Sequence, residues 1–129
     1  MLDTHALAWL VADPTRLSRP AASAIRRARS SDGLAISSIT VWELALLFVR
    51  GILRSHSTVE AATQNILTRS GVVVLPITAE IAAIAVQFPD DYPKDPADRL
   101  IGATAMAGGL ALVTRDERIQ KHQRLKTIW

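Results

Sequence analysis

The sequence predicts an α/β fold in which a mainly parallel central sheet of about five short strands is flanked by helices on both faces. Short apolar runs alternate with helical segments throughout the chain, which is typical of parallel strands joined by crossover helices. The chain has 129 residues and is 49% hydrophobic but only 5% aromatic, so one core must be filled mainly by Ala, Leu, Ile and Val. We therefore expect residues 1–129 to form a single domain.

The chain opens with a very short apolar segment. Residues 1–2 lead straight into Asp3, which is expected at the carboxyl end of a strand, and a helix follows as far as residue 11. Because strands usually have about five residues, we expect the natural start of the protein to lie upstream of Met1. Ser18 is placed to cap a second helix, which has Pro20 in its first turn.

A buried strand and a strongly apolar helix are predicted next. Residues 34–37 form a short apolar run after a turn, as expected for the strand. Thr40 and Glu43 then have the spacing of a capping box, which places Glu43 in the first turn of the helix. Trp42, Leu46 and Val49 lie at intervals that predict a stripe facing the core.

The middle of the chain contains the clearest strand pattern. A helix is predicted from residue 58 to residue 69, with Ser57 as its cap. Residues 72–76 are apolar and β-branched, which is typical of a strand buried on both faces of a parallel sheet. Thr78 is expected to cap the helix that follows.

The last third of the chain places two carboxylates at one helix start. Asp95 followed by Pro96 predicts a helix N-cap with proline in the first turn, and Asp98 lies within that turn. Beyond this helix, residues 110–113 are predicted to form a strand. The tail is expected to contain a short helix and an apolar edge strand at residues 128–129.

Acidic residues follow strand ends or helix starts at four places, namely Asp3, Glu43, Asp98 and Asp116. The carboxyl ends of parallel strands share one edge of a sheet, so the four side chains are expected over the same edge. Clustered carboxylates repel one another and are normally neutralised by cations, and an all-oxygen ligand set favours Mg²⁺ or Mn²⁺ over zinc. Such an ion beside a phosphodiester would support its hydrolysis. Four separate capping roles are the alternative interpretation.

The composition excludes several classes of protein. The absence of cysteine excludes disulfides, thiolate metal sites and cysteine nucleophiles. No apolar run approaches the roughly 20 residues that span a bilayer, so we expect a soluble, cytoplasmic protein without membrane association. A net charge of +3 and a pI near 10.0 allow nucleic-acid binding without establishing it.

Basic residues near the acidic positions have two interpretations. Arg99 and Arg115 flank the proposed site, where either a contact with a phosphate group or a salt bridge to a neighbouring acid accounts for them. The end of the chain carries a basic tail, for which an RNA-backbone contact is weighed against a plain solvated surface. The basic tail consists of Arg115, Arg118, Lys121, His122, Arg124 and Lys126.

Four segments of the chain also carry a family resemblance. In order, residues 2–7, 36–44, 95–101 and 112–119 resemble the successive motifs of the PIN domain, most closely as found in the VapC ribonuclease toxins of bacterial type II toxin–antitoxin systems. Each motif alone is weak, but four in this order are specific. The chain departs from the family at its start, where only two residues precede the first aspartate.

The resemblance implies a Mg²⁺- or Mn²⁺-dependent endoribonuclease and assigns roles to individual residues. Asp3, Asp98 and Asp116 match the nearer metal ligands of the family, and Glu43 matches an acid that acts through water or directly on a metal. Thr114 matches a hydroxyl that supports the site. Family members usually form homodimers and are inhibited by a VapB-type antitoxin, so both an antitoxin and an RNA substrate are expected partners.

Two other functions stay open at this point. One is a PIN-type nuclease that acts on DNA, or in RNA processing, without a toxin role. The other is a catalytically inactive module that binds nucleic acid or a partner protein. The presence of all four acids argues against the inactive module, because binding alone gives no chemical reason to gather negative charge that costs energy to assemble.

Overall fold

The computed structural model describes residues 1–129 as seven helices and four short strands. The helices are α1 (Thr4–Ala12), α2 (Arg19–Ser30), α3 (Ser38–Val49), α4 (Val59–Ser70), α5 (Ala79–Val86), α6 (Pro96–Ala107) and α7 (Glu117–Gln120). The strands are β1 (Leu34–Ser37), β2 (Val72–Leu75), β3 (Leu112–Val113) and β4 (Thr127–Ile128), and a 3₁₀ turn covers Pro14–Arg16.

The strands form two parallel pairs, which the first residues of the chain connect. β1 pairs with β2, and β3 pairs with β4. Between the pairs, the Leu2 N–H donates to the carbonyl of Ala35 at 2.9 Å, and the Val113 N–H donates to the carbonyl of Met1 at 2.9 Å. The predicted α/β fold with parallel strands is confirmed. The number of strands is smaller than predicted, because residues 1–2 form only a bridge to β3.

Two clusters of buried apolar side chains stabilise this arrangement. The first combines β1 with α1, α2, α3 and α4, and includes the fully buried Leu7 and Leu44. The second combines β3 with α5, α6 and α7, and includes Ile101 and Ile119. Such a division is expected when helices cover the two faces of one sheet.

Strand β2 forms where predicted, but its predicted burial on both faces is wrong. It pairs with β1 on one side only, and Val73 and Val74 are 60% and 40% exposed. The apolar, β-branched run favours an extended backbone wherever it lies in a sheet. The apolar run therefore predicted the strand correctly, but it did not predict that the strand lies at the edge of the sheet.

Helix α3 turns a different face to the core from the one predicted. Trp42 and Val49 are 57% and 71% exposed, whereas Leu44 and Leu47 are buried. The helix is apolar on almost every side, so the spacing of its apolar residues does not select a core face. The prediction that Trp42 and Val49 face the core is thus wrong.

Local capping predictions agree more closely with the structure. Ser18 and Thr78 cap α2 and α5 by accepting backbone N–H groups, as predicted. Thr58, and not the predicted Ser57, caps α4, and Gly71 ends that helix with a positive φ of 64°. None of the seven helices is long and apolar enough to cross a membrane.

Candidate functional site

Asp3 lies where the sheet meets the start of α1. Its N–H donates to the carbonyl of Val113 at 3.1 Å, and its Oδ1 accepts the N–H of Ala6 at 2.6 Å. Asp3 is therefore the N-cap of α1 and belongs to the sheet through its backbone. Burial raises the pKa of the Asp3 carboxyl, although the Thr114 hydroxyl and the Ala6 amide oppose the shift.

Glu43 is oriented by a residue of the first motif. The Thr4 hydroxyl donates to Oε2 of Glu43 at 2.5 Å. Because α3 begins at Ser38, Glu43 lies in its second turn, and the predicted capping box with Thr40 does not form. Thr40 is buried instead, with its hydroxyl 3.5 Å from that of Thr4. Burial raises the pKa of Glu43.

Helix α6 begins with two aspartates that have different surroundings. Oδ1 of Asp95 accepts the N–H groups of Ala97 at 2.8 Å and of Asp98 at 3.3 Å, so Asp95 caps the helix as predicted. Burial raises the pKa of Asp98 to about 6. The carboxylates of Asp95, Glu43 and Asp116 shift it in the same direction. Asp98 is therefore surrounded by negative charge.

Asp116 caps the short helix α7 and is paired with a cation. Its Oδ1 accepts the N–H of Arg118 at 2.8 Å, and its Oδ2 lies 2.9 Å from Nη2 of the Arg118 guanidinium. This guanidinium lowers the pKa of Asp116. The fully buried Thr114 accepts the N–H of Asp116 at 3.1 Å, which fixes the turn between β3 and α7.

The four predicted acids come together at one edge of the sheet. Besides the groups around Asp98, the charge of Asp3 contributes to the raised pKa of Glu43, and the charge of Asp116 contributes to that of Asp3. These mutual effects connect all four carboxylates. The four carboxylates therefore lie near enough to affect one another's pKa, while their predicted role as one site stays a prediction.

The donor set suits a hard divalent cation, although no three His, Asp or Glu side chains converge closely enough to hold one ion. The four predicted ligands offer only oxygen atoms, and their carboxylates raise one another's pKa, which is the electrostatic condition that a cation would relieve. Each of three carboxylates is held by an internal donor, from Ala6, Thr4 or Arg118. The proposed ligand set of Asp3, Glu43, Asp98 and Asp116 thus stays a prediction.

The two arginines singled out in the sequence have different surroundings. Arg99 uses its guanidinium within the fold, where it donates to the carbonyls of Pro93 at 2.9 Å and Phe88 at 3.0 Å, with longer bonds to Ala85 and Pro89. These bonds account for a cation at a helix start without a phosphate or an acidic partner. Arg115 is exposed directly before Asp116. Contact of either arginine with RNA stays a prediction.

Sequence reasoning did not single out two residues that act on the site. Thr4 bonds Glu43 across 39 positions of the chain, and only its place directly after Asp3 hinted at this role. Arg118 appeared only as one member of the basic tail. Its position two residues after the cap Asp116 was the available signal, because a side chain there can reach back to the capping carboxylate.

Comparison with known proteins identifies relatives over almost the whole chain. The sequence profile of the PIN domain matches residues 1–125. The chain is also 40% identical over 131 aligned residues to Ribonuclease VapC22 of Mycobacterium tuberculosis, an alignment that covers 100% of this chain and 97% of that protein.

Solved structures share the fold at lower sequence identity. The structure of VapBC2 from Rickettsia felis, bound to a DNA fragment from its promoter, matches with a TM-score of 0.72 at 18% identity and covers 98% of this chain and 95% of that one. VapBC-1 from nontypeable Haemophilus influenzae matches with a TM-score of 0.68 at 22% identity, covering 98% and 94%.

Proposed function

The chain belongs to the PIN-domain family, and from this premise we propose that it is an endoribonuclease that acts as the toxin component of a toxin–antitoxin module. The relative with 40% identity is a VapC ribonuclease, and it aligns with every motif that carries the acids. We further propose that residues 1–129 form one PIN domain, that the activity depends on Mg²⁺ or Mn²⁺, and that the protein acts in the cytoplasm.

The gathering of Asp3, Glu43, Asp98 and Asp116 at the carboxyl ends of the strands is the observation that carries this proposal. Gathering like charges costs free energy. Helix capping accounts for Asp3 and Asp116, but neither Glu43 nor Asp98 caps a helix, since Asp95 alone caps α6. A reaction that requires a bound cation accounts for this cost, because the cation would neutralise the repulsion. We infer a phosphodiester substrate, because a divalent ion at such a site would polarise a phosphoryl oxygen.

The residues of the chain have distinct tasks in this proposal. A divalent ion, when bound, supplies a Lewis acid that polarises the phosphodiester and acidifies a water molecule. Asp3 is held rigidly by the sheet and by the N–H of Ala6. Glu43 is oriented by Thr4, and Asp116 by the turn that Thr114 fixes.

Asp98 is the carboxylate that the other acids of the site surround. It lies among three like charges, and its raised pKa of about 6 shows how unfavourable its ionised form is in this environment. A divalent ion would remove that penalty. Asp98 is therefore the carboxylate whose loss should affect cation binding most.

Metal-dependent cleavage of single-stranded RNA tests the activity. We expect the protein to cleave RNA in Mg²⁺ or Mn²⁺, to lose this activity in a chelator, and to leave DNA of the same base sequence intact. Cleavage that continues in the chelator would contradict the metal dependence. Cleavage of DNA at an equal rate would instead favour a nuclease without RNA selectivity.

The proposed partners are a VapB-type antitoxin and a second copy of this chain. The solved structures that share this fold include toxin–antitoxin complexes, and the exposed Trp42 and Val49 of α3 and Val86 of α5 offer apolar surface for association. Expression of the chain alone should arrest growth, and co-expression of the antitoxin gene should restore it. Arrest that this gene does not relieve would contradict the toxin–antitoxin role.

A further inference from the structure

A pocket rich in basic groups opens beside the acidic site. Its volume is about 250 Å³, and it is lined by Arg118, Lys121 and His122 together with Asp91 and Tyr92. The three basic residues come from the segment that follows β3, and the other two come from the loop before α6. Segments far apart in the sequence thus meet to form one concave, positively charged surface.

Two residues of the pocket also touch the acidic site, so the pocket and the site are neighbours. Arg118 lies 2.9 Å from the Asp116 carboxylate. The Tyr92 hydroxyl donates to the backbone carbonyl of Asp98 at 3.3 Å. A polymer whose reacting phosphodiester lies over the acids would therefore extend directly over this pocket.

The inner wall of the pocket is rigid, and part of its hydrogen-bonding capacity is unused. The His122 ring packs edge-on against the stacked rings of Phe88 and Tyr92, at centroid distances of 5.2 Å and 5.5 Å. The buried Nδ1 of His122 has no hydrogen-bond partner in the protein. Lys121 takes part in no salt bridge, so its ammonium group is available to a ligand.

The charge of the pocket suits one phosphodiester group. Among the lining residues, the cations of Arg118 and Lys121 outnumber the single carboxylate of Asp91. Because Asp116 pairs with Arg118, Lys121 is the cation that no salt bridge engages. Positively charged grooves that follow the backbone are the usual means by which proteins hold single-stranded nucleic acid. The aromatic rings of Phe88 and Tyr92 are buried and offer no platform for stacking bases, so the pocket recognises the backbone rather than a base.

We propose that this pocket is a subsite for the RNA backbone phosphate next to the scissile one, held by Lys121 and by Arg118. The proposal rests on the proposed ribonuclease function, because it takes its ligand from that reaction. It separates Lys121 from the rest of the basic tail, which is otherwise a solvated surface. Arg118 is shared between the phosphate and Asp116, so Lys121 gives the cleaner test.

The experiment measures the affinity of the native chain and of Lys121→Gln for a labelled single-stranded oligoribonucleotide over a range of salt concentrations. A chelator is present so that the RNA stays intact. Loss of one phosphate contact should weaken binding roughly 5- to 10-fold and lower the slope of log K against log salt by about 0.7. Lys121→Arg, which keeps the charge, should restore most of both quantities.

Lys126→Gln is the matched control. It makes the same change in the same basic tail, but Lys126 is exposed and does not line this pocket. We expect its affinity and slope to equal those of the native chain. An unchanged slope in Lys121→Gln, or equal losses of affinity in both variants, would overturn the proposed subsite. Such a result would indicate that the basic tail attracts RNA only through its overall charge.

A parallel cleavage assay separates this proposal from the function on which it rests. If the native chain cleaves RNA in Mn²⁺ while Lys121→Gln keeps the native salt dependence of binding, the subsite proposal is wrong and the ribonuclease proposal is supported. If the native chain neither binds nor cleaves RNA, both proposals fail.

Discussion

Asp98 and Asp116 lie at the starts of two helices beside the same strand ends, yet their carboxyl groups have opposite pKa shifts. Burial and neighbouring carboxylates raise the pKa of Asp98 to about 6. The Arg118 guanidinium lowers the pKa of Asp116. A helix dipole lowers the pKa of any carboxyl at a helix start, so it cannot by itself produce shifts of opposite sign.

The comparison separates a carboxylate that has a cationic partner in the protein from one that has none. At the start of α7, Arg118 forms an ion pair with Asp116. At the start of α6, three neighbouring carboxylates repel the Asp98 carboxylate, which forms no ion pair. Negative charge at Asp98 is therefore the part of the site that a metal would stabilise most. Four predictions test this contrast, beginning with the largest expected effect.

Asp98→Asn should lower RNA cleavage by about 100-fold or more, because even residues that only support a metal ligand contribute roughly 10- to 100-fold. Asp95→Asn is the matched control at the same helix start. Asparagine caps a helix as well as aspartate does, so this variant should keep cleavage within a few-fold of the native rate. The measurement is the initial rate of cleavage of one RNA substrate by the native protein and both variants. Equal rates for Asp98→Asn and the native protein would contradict the proposed role of Asp98.

Addition of Mn²⁺ should stabilise the native protein, by about 2.7 kcal/mol at a concentration 100 times the dissociation constant. Thermal unfolding followed by circular dichroism measures this gain. In Asp98→Asn the gain should be much smaller, since the carboxylate with the largest unrelieved repulsion is gone. A melting temperature of the native protein that does not respond to Mn²⁺ would contradict the predicted site.

Stability should fall as the pH rises from about 4 to about 6, because Asp98 has an ordinary pKa of 3.8 in the unfolded chain and about 6 in the folded one. The folded state holds the extra proton in this range, so raising the pH favours unfolding. Asp98→Asn should remove the part of this decrease that Asp98 causes. Its free energy of unfolding at pH 7 should exceed that of the native protein by on the order of 1 kcal/mol, after allowance for solvent screening.

Urea unfolding at several pH values, compared between native protein and Asp98→Asn, measures that difference. Asp3 and Glu43 have raised pKa values too, so the native curve alone does not isolate Asp98. A difference between the two proteins that stays constant from pH 4 to pH 7 would be inconsistent with the raised pKa.

The smallest effect concerns the partner of Asp116. Arg118→Gln should raise the pKa of Asp116 toward its ordinary value, because the guanidinium is the main cause of the lowering. Carboxyl chemical shifts followed by NMR during a pH titration report this directly. Arg115→Gln removes the adjacent exposed cation as a control and should leave the Asp116 titration unchanged.

Most features set by neighbours in the sequence were predictable, although the cap at Ser57 and the capping box of Thr40 and Glu43 did not form. The caps at Ser18, Thr78 and Asp95 depend on a side chain and an N–H group two or three residues apart, and all three form. The parallel α/β class likewise follows from the alternation of short apolar runs with helices. These features need no knowledge of which elements meet in space.

Features set by distant parts of the chain were not predictable from one sequence. The exposure of Val73 and Trp42 depends on which elements pack beside β2 and α3. The order of acids after strand ends predicted the acidic site, but its support by Thr4 required two separate motifs to meet. The basic pocket combines Tyr92 with residues 118–122 and leaves no pattern in either segment alone.

The bridge at residues 1–2 bears on when the protein becomes active during its synthesis. Leu2 and Asp3 bond to Ala35 and Val113, so the centre of the sheet joins residues 2–3 to strand β3, which is translated much later. Contacts this distant in sequence form late in folding. The acidic site therefore cannot assemble on a nascent chain until β3 and Asp116 have been translated.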